Sequence, residues 1–281
     1  MALSTDDIGE ISVTERAPIG ELGNALDSTK VRNLLEYLDD PDLKLGPMKR
    51  GRPVYHTESD SQELAQIGDR IFTTTYFETE FGGLLYTRTD DGHDSAIANI
   101  DEESAQIRLL CDDHAPHSGL IVPQTSPGLI GSDDGVTAHR AATSSELTAI
   151  ADFIGGDPES VDAAYIADRE GFTVVRETAD GSDFYDVTFS NPAQLEREAA
   201  RPDLTADLTS DNITVESVTP QDSCKVTCLS CAASLGRCGW CSSTCLAATT
   251  VVGALACIGC FTFWCGWSLP ITCKECQECA T

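Results

Sequence analysis

Lysine is scarce in this chain: five residues of 281, set against 46 acidic side chains. No basic stripe exists to displace phosphate counterions, which excludes nucleic acid as a partner. Residues 1–20 lack both a basic n-region and an apolar h-region, so they do not read as a secretory signal. The basic run Lys49–Arg52 is followed by polar residues and reads no better. Export, if it occurs, is expected to use another route or a start upstream of Met1. No phosphate loop, dinucleotide fingerprint or hydrolase elbow occurs, so no enzyme and no cofactor are expected. Residues 238–273 carry no charge at all, and no histidine lies beyond residue 223.

What is present is unevenly placed. The net charge is −28. Residues 224–281 hold three cations (Lys225, Arg237, Lys274) and two anions (Glu275, Glu278), a net of +1, which leaves −29 for residues 1–223. Such an acidic surface repels itself in dilute buffer and is screened in brine, where the Debye length shrinks to about 3 Å at 1 M. The composition is that of a salt-adapted protein. Twelve of the 13 cysteines lie between Cys224 and Cys279. Charge, cysteine content and hydropathy all change at one place. Three segments are expected: an acidic domain over 1–208, a linker with a cleavage site over 209–223, and a cysteine-rich domain over 224–281.

The acidic part reads as α+β, an antiparallel β-meander domain with a few helices. A helix is expected over 24–40, with Val31, Leu34, Leu35 and Leu38 on one face and Pro41 at its end. Residues 41–53 are rich in glycine and proline and read as loop, with a short helix over 62–68. A first meander is expected over 70–81, 84–89, 95–100 and 105–111. Residues 112–143 read as a long loop with one short strand over 119–122. The clearest helix is 144–156, capped by Ser144 or Ser145 and ending at Gly155. A second meander covers 163–168, 172–178 and 183–189, and a short helix over 192–200 is the last element expected there.

One constellation in this half has metal-ligating character. Cys111, His114 and His117 lie in C-D-D-H-A-P-H, a weak zinc candidate because the loop fixes no shared geometry. His56, His93 and His139 stand isolated in polar stretches.

Three readings compete for the cysteine-rich tail. Its C-x-x-C pairs invite a metal or redox centre, but the first two pairs lie too close together for a zinc ribbon. CKECQEC resembles only part of an iron–sulfur run. Residues 242–272 are uncharged and long enough to span a bilayer, which would make a membrane-anchored surface protein. The third reading is disulfides. Cys224, Cys228 and Cys231 form one stripe of a helix, and Cys238, Cys241 and Cys245 form its mirror image. Two antiparallel helices facing each other would pair 224 with 245, 228 with 241 and 231 with 238. A second hairpin would pair 257 with 279, 260 with 276 and 265 with 273, with 246–256 joining the two. The expectation is an all-α, disulfide-stapled domain of two α-hairpins. Trp240, Phe261, Phe263, Trp264 and Trp267 are its membrane-facing candidates.

At these residues the chain resembles the precursors of cysteine-rich microhalocins, the halocin C-eight type of archaeal peptide antibiotic. The likeness rests on C-L-S-C at 228–231, six residues to Cys238, the small apolar run from Leu246 to Cys260, and the later cysteines. It covers about 224–279. It implies a halophilic archaeal source and a bacteriocin precursor cut by a processing protease. It also implies a secreted antimicrobial peptide acting on the envelope or membrane of target cells. The cell-associated N-terminal part would serve as leader and as an immunity protein that binds the peptide. The chain departs from that family in lacking a twin-arginine signal and in carrying more tail cysteines.

Overall fold

The computed structural model describes residues 11–56, 64–101, 127–179, 181–189, 213–217, 223–235, 241–247 and 251–279. The fold is α+β. Its frame is an 11-stranded antiparallel sheet whose neighbours follow chain order, apart from one excursion after the second strand. The strands are β1 (Ser12–Thr14), β2 (Lys44–Gly51), β5 (Phe72–Thr79), β6 (Gly82–Thr89), β7 (Asp94–Ile100), β8 (Gly128–Gly131) and β9 (Val136–Ala141). They continue as β10 (Val161–Ile166), β11 (Gly171–Thr178), β12 (Gly181–Phe189) and β13 (Ile213–Ser217). The excursion, β3 (Val54–His56) and β4 (Leu64–Ile67), builds a second sheet with β14 (Ser268–Pro270).

The first three strands of the first expected meander and all three of the second form, because tight turns join β-branched and aromatic runs. Several expectations fail. Residues 44–51 are a strand despite Gly46 and Pro47, because the ladder to β5 shifts register between Leu45 and Met48. A residue without an amide hydrogen is tolerated in such a gap. Residues 64–67 are a strand rather than a helix, paired with β3. The supposed loop up to 143 contains β8 and β9, and the supposed linker 209–223 contains β13, paired with β12. The strands expected over 105–111 and 119–122 and the helix expected over 192–200 lie outside the described residues.

The sheet is apolar on both faces. Alternation sends Leu84, Tyr86, Ala96, Ala98, Leu129, Ala163, Tyr165 and Val174 to one side. There they pack against α1 (Ile19–Asp27), α2 (Thr29–Tyr37) and α3 (Ser144–Ile154). The helix expected over 24–40 is thus two helices, broken at Ser28. Leu85, Ile97, Ile130, Ala164, Ile166 and Val175, the intervening residues, face the other way. That side is covered by α4 (Ser223–Ser234), α5 (Cys241–Ala247), α6 (Val251–Trp264) and α7 (Ile271–Cys279), the whole described helical content of the tail.

The helix α3 shows how its side is fixed. Thr143, not Ser144 or Ser145, is the N-cap: its Oγ1 accepts from the Glu146 amide at 3.2 Å, and the Thr143 amide donates back to Glu146 Oε2 at 2.8 Å. Gly155 ends the helix at φ 75°, a left-handed conformation that glycine adopts without Cβ strain. Glu146 also accepts two hydrogen bonds of 2.7 Å from the buried Arg140 guanidinium, which lies over Tyr165 and Phe172. Glu146→Ala deletes the counter-ion of a buried cation and opens the capping box, and is expected to cost about 3–5 kcal/mol of stability. Denaturant unfolding checks this; a midpoint within error of the parent would contradict it.

Candidate functional site

The candidate site is the seam where the tail meets the second face of the sheet. Within the tail, five disulfides are described: Cys224–Cys279, Cys228–Cys276, Cys231–Cys273, Cys241–Cys260 and Cys245–Cys257. Their sequence separations shrink from 55 through 48, 42 and 19 to 12, so each bridge nests inside the last. Cys265 is also disulfide-bonded, and Cys238 lies outside the described residues.

Nesting was the right principle, but the expected pairs are overturned. Cys224, Cys228 and Cys231 face Cys279, Cys276 and Cys273, not Cys245, Cys241 and Cys238. Likewise Cys257 and Cys260 face Cys245 and Cys241. The tail is one nested array in which α4 lies against α7 and α5 against α6. The segment 246–256, expected to join two hairpins, instead holds the end of α5 and the start of α6. The physical reason is that i, i+3 and i+4 spacing fixes the face of a helix but not its partner. Cys273, Cys276 and Cys279 form as good a stripe as Cys238, Cys241 and Cys245. With ten sulfurs in described bridges, a metal or redox centre has lost most of its ligand set. Among the described residues no group of His, Cys, Asp and Glu is placed to hold a metal. Cys111, His114 and His117 lie outside the described residues. No helix among the described residues is long and apolar enough to cross a membrane.

The seam is apolar and close. Helix α6 contains no charge over its 14 residues. Ala256, Cys260 and Phe263 meet Leu85, Ile97 and Ile130. Leu229, Ala232 and Leu246 meet Ala164, Val175 and Phe184. Ala254, Leu255, Ile258, Trp267 and Leu269 gather with Tyr55 and Phe72. Gly259 brings the α6 backbone directly onto β6: a Cβ there would sit 2.1 Å from Thr87 Oγ1. The Thr87 hydroxyl is satisfied by Thr74 Oγ1 at 3.1 Å.

Polar contacts fix the register of this seam. Two of the five lysines cross it, one from each side. Lys49 of β2 donates to the carbonyl of Phe263 in the last turn of α6 and lies 5.1 Å from that ring. A cation there also suits the negative end of the helix dipole. Burial pushes the Lys49 ammonium below its usual pKa. Lys225 of α4 donates to Asp186 of β12 at 2.5 Å. At the opposite end β14 pairs in parallel with β3, the Val54 amide donates to the Trp267 carbonyl at 2.8 Å, and Tyr55 donates to Gln277 Oε1 at 3.0 Å.

In the intact chain the acidic half covers much of the surface expected to face a membrane. Phe263 and Trp267 are buried against the acidic half, and Phe261 is partly buried. Trp264 alone of these stays open, at 51% exposure, with its ring against Tyr76 and Phe263. Trp240 lies outside the described residues. The histidine reading is corrected too. His139 is not in a polar loop but fully buried on β9, on the face away from Ala138, beneath α5. Neither ring nitrogen has a hydrogen-bond partner. Gly128 opposite it leaves room for the ring: a Cβ there would lie 2.5 Å from His139 Cε1. The sequence did carry one signal for this seam. Strands such as LLY, SAIA, AAYI and TVV are apolar at consecutive positions, the mark of a sheet covered on both sides.

No family model, curated protein or solved structure matches the chain.

Two outcomes are expected at this seam. In an exposed helix Gly→Ala gains about 1 kcal/mol. Here the Thr87 contact reverses the sign, and Gly259→Ala is expected to lose about 1–3 kcal/mol in denaturant unfolding; a gain would contradict the close approach. His139 is pushed down to about 3 by burial, from an ordinary 6.5. Its folded pKa is depressed, so the unfolded chain binds the extra proton first. The stability it permits is complete above pH 6.5 and is lost as pH falls from there to 3, at about 1.4 kcal/mol per pH unit. His139→Leu is expected to flatten the fall in melting temperature across that window relative to the parent; parallel curves would contradict it.

Proposed function

We propose that the chain is the precursor of a secreted, disulfide-rich antimicrobial peptide, with an N-terminal leader and immunity domain that binds the peptide. The observation that carries this reading is covalent. All five described bridges join tail to tail. A single backbone cut between β13 and α4 would leave all five of these bridges within one piece, which the seam holds to the other. The strand 213–217 is paired in the sheet, which shields its backbone, so the cut is placed in 218–222.

The chemistry of the two faces supports the same reading. The tail presents Leu229, Leu255, Ile258 and Phe263 on α4 and α6, Trp267 just after α6 and Leu269 on β14, and in the intact chain they are covered. Freed, that surface suits contact with the envelope of a target cell through apolar burial rather than charge. Rebinding to the vacated sheet face would silence it, which is what an immunity protein must do. The peptide is then the exported product, and the acidic half stays with the producing cell.

The test is direct. The folded chain is cut within 218–222, the oxidised tail is separated, and both are spotted on lawns of haloarchaea in molar salt. The tail is expected to clear a zone, the uncut chain none, and re-addition of the acidic fragment is expected to abolish the clearing. A tail that clears no lawn at any amount overturns the reading.

A further inference from the structure

The cysteine spacing of the tail is compatible with two nested registers. In the local register Cys228 would pair with Cys241 and Cys231 with Cys238, across a short turn. In the observed register Cys228 pairs with Cys276 and Cys231 with Cys273, closing loops of 48 and 42 residues. Chain entropy favours the shorter loops. The stripes of sulfur on each helix serve either register equally well.

Contacts that match the observed register reach out of the tail. Each tail helix has its own place on the acidic half. Helix α4 sits on β12 through Lys225 and Asp186, with Leu229 against Val175 and Phe184. Helix α5 lies over β9 and β10. Helix α6 lies over β6 and β7, with Gly259 on Thr87. Helix α7 is held to β3 by Tyr55 and Gln277, and by β14 just before it. These four placements bring α4 beside α7 and α5 beside α6 before any sulfur has to react.

We propose that the acidic half is a folding template that selects the disulfide register of the tail. The chemistry needs nothing unusual. Each bridge takes two protons and two electrons from two thiols and gives them to a disulfide oxidant such as glutathione disulfide, which leaves as two thiols. A wrong bridge is corrected without net oxidation: a nearby thiolate attacks one of its sulfurs, the new S–S bond forms, and the displaced sulfur departs as thiolate. The sheet biases this exchange by docking the helices. The inference does not rest on the tail being antimicrobial; it holds for any role the tail has.

The test uses the full chain. It is reduced and unfolded, then refolded in molar salt with reduced and oxidised glutathione, and its bridges are mapped by non-reducing digestion and mass spectrometry. In the parent, 228–276 and 231–273 are expected to dominate. Leu85→Asp, Ile97→Asp and Val175→Asp together abolish docking while keeping every cysteine, and the map can be read whether or not the acidic half of this variant folds. The native pairs are expected to fall from the dominant product to a minor one, with 228–241 and 231–238 rising. A second variant, Lys225→Glu with Gln277→Leu, leaves the sheet core untouched, as circular dichroism can verify. It is expected to accumulate the native pairs more slowly than the parent. Native pairs formed at parental yield and rate in both variants would overturn the proposal, because the tail would then carry its own register.

Discussion

A sheet with apolar side chains on both faces must be covered twice. That requirement organises this molecule. Helices α1, α2 and α3 cover one face of the large sheet. Among the described residues no helix of the acidic half is placed on the other, and the tail fills that position. The close approach of Gly259 to Thr87 shows how the layer is fitted: the helix lies with its backbone, not with long side chains, against β6. A small cysteine-rich segment buries too little surface to be secure alone. Bridges hold its helices together, and the sheet gives them a second layer to pack on.

Charge follows from the same arrangement. Salt screens the exposed carboxylates of the acidic half. The seam itself is almost free of charge. Its two crossing lysines act at opposite places, Lys49 on the end of α6 and Lys225 on β12, and orient the tail without making its apolar surface polar. His139, buried beneath α5 without a hydrogen-bond partner, is an ionisable group that burial holds far from its ordinary behaviour. A seam that binds through apolar area and a few directional contacts can both hide the tail and let it go, as the proposed precursor role would require.

Local signals made much of the fold legible. Strands β5 to β7 and β10 to β12 follow from β-branched runs between glycine turns, and α3 from its cap and Gly155. Elements were missed where local chemistry points the wrong way. Pro47 argued against β2, and only the register shift in its ladder accommodates it. Glycines at 128 and 131 hid β8, although they are there because His139 and the backbone of Lys30 come close. The seam was half legible. The apolar character of 242–272 and the stripes of cysteine could be read. The partner of each stripe could not, because periodicity along one helix carries no information about which helix lies opposite; that is set by the sheet.

The central claim is therefore the register of the nested bridges, since it records how the tail sits on the acidic half. Digestion of the folded, unreduced chain followed by mass spectrometry reads it directly. The account predicts that peptides from 223–235 are linked to peptides from 271–279, and peptides from 241–247 to peptides from 251–264. Finding 223–235 linked instead to 238–247, as two separate hairpins would require, would contradict it.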